Sequence, residues 1–182
     1  MTNSTIEGPV CPVPLRHTTH IVIGHGSGGK MTQELIERVF KPRFSNPALS
    51  AGNDFACIPS PAGIHSGARL AVSTDSHIVA PLFFPGGDIG RLAVCGTVND
   101  VSMSGAVPVG LTAGFILEEG LEISLLEKVV ESMSFSAREA GVPIVAGDTK
   151  VVEKGKADGL FINTSGYGWV SENLSIGGEL AH

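Results

Sequence analysis

The chain has 182 residues, 42% of them hydrophobic, with 24 glycines and a formal net charge of −6. That length holds one domain with a real core and leaves two full domains cramped. The lysines and arginines are scattered rather than gathered into a basic stripe, which argues against nucleic acid as a partner. The longest uncharged run, 101–117, falls short of the ~20 apolar residues of a membrane span and is broken by Gly105, Pro108, Gly110 and Gly114.

In chain order, residues 1–19 contain Pro9, Pro12 and Pro14, lack the apolar stretch of a signal peptide, and are expected to form a flexible tail ahead of a domain over 20–182. Cys11, Cys57 and Cys95 are too widely spaced for a zinc motif, which suits a reducing cytoplasm. "GHGSGGK" at 24–30 is a glycine-rich lead-in to a helix, a setting that lets backbone N–H groups approach phosphate. It is not a Walker loop, and a plain mobile lead-in explains it as well. Met31, Leu35, Ile36, Val39 and Phe40 then predict a short amphipathic helix over 31–40.

"FACI" at 55–58 and the run 69–84 read as strands, the second bent near Thr74 to Ser76. Asp88 caps a helix that closes at Gly105. A strand over 109–119 follows, then a helix from Ser124 to about Gly141 with Leu125, Leu126, Val129, Val130, Met133 and Ala137 along one stripe. "VPIVAG" makes a short strand, 148–158 a loop with room for a further short strand, and 159–170 a last strand. Helices among several strands predict an α+β fold: a mixed β-sheet with helices on one face.

Six aspartates stand in the chain. Asp54, Asp75 and Asp148 sit beside Asn, Ser, Thr or Gly at expected strand or loop ends, where short acids from different elements can converge on magnesium. Asp100 lies in an otherwise uncharged helix, where a charge needs a partner or an ion. Asp88 and Asp158 read as cap or turn residues. "GDTK" at 147–150 adds an acid, a hydroxyl and a cation after an apolar strand, a usable phosphate or metal corner. His25 and His77 lie near the candidate site and read as structural or surface residues.

"GHGSGGKM", "STDSHIVAPLFFPGGDIGRLAVCGTVNDVSMSGAVP", "GFILEEG" and "AGDTKVV" followed by "LFINTSGYG" resemble the HypE family of hydrogenase maturation factors, from about His20 to Val170. That family lies within the wider superfamily of aminoimidazole ribonucleotide synthetase, selenophosphate synthetase and thiamine-monophosphate kinase, which use ATP. The resemblance implies an N-terminal α+β domain that dimerises through its sheet, with nucleotide near the interface. It implies that Asp54, Asp75, Asp100 and Asp148 hold Mg2+, that Asn99 and Thr149 contact the nucleotide, and that Gly26, Ser27, Gly28, Gly29 and Lys30 fold over the triphosphate. Lys150 and Asp100 become the catalytic residues, Lys150 by neutralising phosphate charge.

The implied activity is ATP-dependent dehydration of a cysteine S-carboxamide to a thiocyanate, the cyanide source for nickel–iron hydrogenase. Phosphorylating the amide oxygen turns a poor leaving group into phosphate, and loss of the remaining proton forms the triple bond. The implied partners are a second copy of the chain, a HypF-type carbamoyltransferase and other hydrogenase maturation proteins. In the wider superfamily paired acids often precede a small residue; here Asn53-Asp54-Phe55-Ala56 leaves the number of metals open. The family continues into a second domain with a cysteine tail, so a chain stopping at His182 is expected to be the nucleotide-binding half. Two other readings stay open: a non-catalytic dimerisation or docking module, and another small-molecule kinase of the superfamily.

Overall fold

The computed structural model describes residues 21, 27–44, 50, 52–53, 55–59, 67–174 and 176. The expected tail at 1–19, and with it Gly26, His25 and Asp54, lie outside the described residues. The chain divides into two compact units, Met1–Ser45 and Asn46–His182. No helix among the described residues is long and apolar enough to cross a membrane.

In the first unit, α1 (Lys30–Leu35) passes through a π-helical turn (Ile36–Phe40) into α2 (Lys41–Phe44). The sequence predicts a helix ending at 40; the observed helical run continues to 44. Pro42 has no N–H to offer the preceding turn and its ring crowds that turn's carbonyl, which accounts for the widened winding just before it. Gly29 caps α1 without a side-chain bond, and Gly28 N–H donates to Thr32 Oγ1 at 3.0 Å.

The second unit is a five-stranded sheet in the order β1-β2-β7-β5-β6, built from β1 (Ala56–Pro59), β2 (Arg69–His77), β5 (Val107–Glu118), β6 (Ile144–Val152) and β7 (Leu160–Val170). All neighbours are antiparallel except β5 and β6, which are parallel. A parallel pair needs a crossover, supplied here by α4 (Ile123–Ala140). A two-stranded ribbon, β3 (Phe83–Phe84) with β4 (Gly87–Asp88), leads into α3 (Ile89–Met103).

Both helices behave as their sequences require. Asp88 accepts hydrogen bonds from Gly90 N and Arg91 N, satisfying first-turn donors of α3. α4 ends where Gly141 adopts a left-handed conformation, φ 68°. The helices cover one face of the sheet, as expected, and bury Ile89, Val94, Leu111, Val129, Met133, Leu160 and Ile162 between the layers. Each such side chain contributes roughly 1.5–3 kcal/mol through burial. α3 runs so close to β7 that a β-carbon at Gly166 would lie 2.8 Å from Thr97 Cγ2 and 2.9 Å from Val101 Cγ2.

Two expectations need correction. The run 69–84 bends after His77 rather than near Thr74 to Ser76, since β2 pairs with β7 without a break from Arg69 to His77. Residues 148–152 continue the preceding strand instead of forming a loop or a separate short strand: β6 pairs with β5 from Ile144 to Val152, and Thr149, Val151 and Val152 are β-branched residues suited to it. Asp148, Thr149 and Lys150 therefore lie along an edge strand.

Candidate functional site

β2 alternates, as strands do, and its helix-facing register carries Ala71, Ser73, Asp75 and His77. The cross-strand partner of Asp75 is Thr164, a fully buried residue that also faces the helices. Above them stands Gly96 of α3, where a β-carbon would lie 3.1 Å from Asp75 Oδ2 and 3.2 Å from His77 Cε1. One turn further along the same helix face, Asp100 accepts a hydrogen bond from Ser73 Oγ at 3.0 Å. Asp75 Oδ1 accepts one from Ser76 N at 2.8 Å.

His77 is 5% exposed. Burial pushes its pKa down, against the pull of the Asp75 and Asp100 carboxylates, and favours neutral imidazole. Its Nε2 lies 3.4 Å from Thr164 Oγ1 and 3.6 Å from Asp75 Oδ2. Thr164 Oγ1 in turn shares a 2.6 Å hydrogen bond with Thr97 Oγ1 and donates to Ala93 O at 2.9 Å. Strands β2 and β7 and helix α3 thus hold two acids in a network of hydroxyls, an imidazole and a backbone amide.

The Asp75 side chain remains 44% exposed, so the network orients the acid without sealing it. Magnesium takes oxygen ligands, commonly one or two carboxylates with phosphate and water completing the shell. Asp75 and Asp100 fit that demand. Among the described residues no three His, Cys, Asp or Glu side chains form a complete metal cage, so phosphate oxygens or further ligands would have to complete the shell.

The remaining site residues fall elsewhere. On β6, Lys150 Nζ donates to both oxygens of Asp148, at 2.7 and 2.9 Å, with the two side chains 70% and 71% exposed. The Lys150 hydrogen bond, the Thr149 N–H and the Lys150 charge hold the Asp148 carboxyl below its ordinary range. Register places Asp148 beside Gly114, which pairs with Asn163, which pairs with Ser76. Cross-strand partners share a face, so Asp148 and Lys150 lie on the face that the helices leave open, opposite Asp75. Three strand spacings, roughly 14 Å, separate β2 from β6 within the sheet. One chain therefore unites Asp75 with Asp100 and does not bring Asp148, Thr149 or Lys150 to them.

Asn99 is exposed on α3 next to Asp100. Ser27, Gly28, Gly29 and Lys30 belong to the first unit, at the start of α1. No local motif in the sequence singles out Ser73, Thr97 and Thr164, and His77 reads there as a structural or surface residue. A signal was available: Ser73, Asp75 and His77 stand two apart in phase with Ala71, an unusual run of polar groups on a core-facing register.

Residues 52–170 match the family described as AIR synthase related protein, N-terminal domain. The chain is 55% identical over 158 residues to carbamoyl dehydratase HypE of Cupriavidus necator, covering 87% of this chain and 44% of that one. Among solved structures, a HypE–HypF complex matches with a TM-score of 0.69 and 55% identity over 78% of this chain and 44% of that one. HypE in complex with ATP matches with a TM-score of 0.54 and 54% identity over 82% of this chain and 43% of that one. The chain spans about half the length of the curated relatives it matches. With the family pattern spanning the whole sheet and α3, the resemblance seen in the motifs stands, and the chain belongs to the AIR synthase related family through its N-terminal domain.

Proposed function

We propose that the chain is the nucleotide-binding half of an ATP-dependent carbamoyl dehydratase, which converts a cysteine S-carboxamide to a thiocyanate for nickel–iron hydrogenase maturation. It acts as a cytoplasmic homodimer with Mg2+ and serves a HypF-type carbamoyltransferase among other maturation proteins. The observation that carries this reading is an oriented, solvent-open pair of carboxylates, Asp75 and Asp100, in a chain 55% identical to a named carbamoyl dehydratase. A relative solved with ATP supports the nucleotide, and one solved with HypF supports the partner.

In this reading residues 20–182 form the ATP-binding domain. Asp54, Asp75, Asp100 and Asp148 are the metal ligands; Gly26 to Lys30, Asn99 and Thr149 hold the nucleotide; Lys150 and Asp100 carry the catalysis. Magnesium, when bound, would neutralise charge on the triphosphate and the transferring phosphoryl group. The chain's own work is positional: Ser76 N–H fixes one Asp75 oxygen and the Ser73 hydroxyl fixes one Asp100 oxygen. Lys150 offers an ammonium tethered by Asp148 on the open face. Because Asp75 and Asp148 face opposite ways, the dimer reading assigns each nucleotide to a site completed by two chains.

The test supplies the chain with the C-terminal half of a HypE relative, a HypF-type carbamoyltransferase with its substrates, and ATP. Intact mass should show a carbamoyl adduct on that half and then its loss of water, only when the chain and ATP are both present. Failure to dehydrate in a chain that binds ATP favours the non-catalytic docking reading. Dehydration at Cys11, Cys57 or Cys95 overturns the assignment of the chain as a half-enzyme.

A further inference from the structure

The protons around Thr164 can be assigned by elimination. The Ala93 carbonyl only accepts, so all three contacts of Thr164 Oγ1 are made together only when its hydroxyl donates to that carbonyl at 2.9 Å. Thr97 Oγ1, 2.6 Å from Thr164 Oγ1, must then donate to Thr164. With both hydroxyl protons assigned, His77 Nε2, 3.4 Å from Thr164 Oγ1, must be the donor in that contact. The imidazole therefore carries a proton on Nε2, and this N–H edge lies 3.6 Å from Asp75 Oδ2. Ser76 N–H holds the other oxygen, Oδ1, at 2.8 Å. Gly96 gives the arrangement its room, since a β-carbon there would stand 3.1 Å from Asp75 Oδ2 and 3.2 Å from the imidazole Cε1.

We propose that His77 is a positioning residue for Asp75: its Nε2–H, set by the Thr97–Thr164 hydroxyl relay and packed against the bare Gly96 turn, fixes the carboxylate so that its solvent-facing side meets a divalent cation. This inference rests on the reading of Asp75 as a metal ligand. At 3.6 Å the contact is longer than a hydrogen bond, so the imidazole acts as an oriented dipole beside the carboxylate. A ligating carboxylate held in this way gains affinity for its metal because its orientation is settled in advance.

The experiment measures Mn2+ binding to the 182-residue chain by electron paramagnetic resonance, with a non-hydrolysable ATP analogue, for the unsubstituted chain, His77→Phe, His77→Gln and Asp75→Asn. His77→Phe keeps bulk without a donor and should weaken Mn2+ binding up to roughly tenfold, the lower end of what loss of a ligand's outer-shell partner costs. His77→Gln, whose amide donates, should regain most of it. Adding His77→Phe to Asp75→Asn should cost no more than Asp75→Asn alone, because the histidine acts through that carboxylate. Unchanged Mn2+ binding in His77→Phe, with Asp75→Asn weakened, overturns the positioning role. Unchanged binding in Asp75→Asn overturns the metal assignment itself and the inference with it. A long-range 1H–15N spectrum of the unsubstituted chain needs no variant: the Nε2–H tautomer supports the role, and the Nδ1–H tautomer overturns it.

Discussion

Asp75 and Asp148 lie on opposite faces of one sheet, three strands apart: Asp75 pairs with Thr164 beneath α3, while Asp148 shares the open face with Asn163 and Ser76. If the two acids serve one nucleotide, they do so across two chains. Mixing Asp75→Asn chains with Asp148→Asn chains should then recover magnesium-dependent nucleotide binding. Each mixed dimer keeps one site with both acids intact, giving about a quarter of the wild-type sites after random exchange. Equilibrium dialysis of the mixture, beside each variant alone, checks this. Recovery no greater than the sum of the two variants contradicts a shared site.

Gly166 sets the distance between α3 and β7. Alanine there would bring its β-carbon to 2.8 Å from Thr97, 2.9 Å from Val101 and 3.0 Å from Leu111, all in a packed layer. Overpacking of this kind costs about 1–3 kcal/mol. Gly166→Ala should lower the urea midpoint accordingly and, by displacing α3 with Asp100, weaken nucleotide binding in the fraction that stays folded. Wild-type values in both measurements would contradict the close packing of helix on sheet.

Glu118 ties the end of β5 to the 153–159 turn. Its carboxylate accepts hydrogen bonds from Gly155 N and Gly159 N, which together with nearby Lys154 hold its pKa below the ordinary 4.5. A carboxylate depressed in the folded state contributes stability fully above its unfolded value, and the contribution is lost as pH falls through the folded value. The Gly155 and Gly159 amide resonances should therefore move on acidification with a midpoint below 4.5. Glu118→Gln should abolish that transition. A midpoint at or above the ordinary value contradicts the clasp.

Local chemistry made much of this fold legible. The Asp88 cap and the Gly141 stop mark their helix ends by mechanisms confined to a few residues, and the stripe from Val129 to Ala137 announces a buried helix face. The full length of β6 was hidden because Asp148, Thr149 and Lys150 are polar and exposed, and only pairing with β5 makes them strand. The site divides the same way. Ser73 beneath Asp100 follows from alternation in β2, whereas the opposed faces of Asp75 and Asp148 depend on the register of four strands, which no short stretch of sequence encodes.

The most direct measurement is a calorimetric titration of the chain with ATP, with and without Mg2+, beside Asp100→Asn. That substitution removes a charge at nearly constant volume and leaves an amide oxygen to accept from Ser73 Oγ, so the fold should stand. Saturable binding that requires Mg2+ in the unsubstituted chain and weakens roughly tenfold or more in Asp100→Asn, with an unchanged melting temperature, is expected for a metal ligand. Binding indifferent to Mg2+, or equal in the two chains, contradicts the assignment of the Asp75–Asp100 edge as the magnesium-nucleotide site.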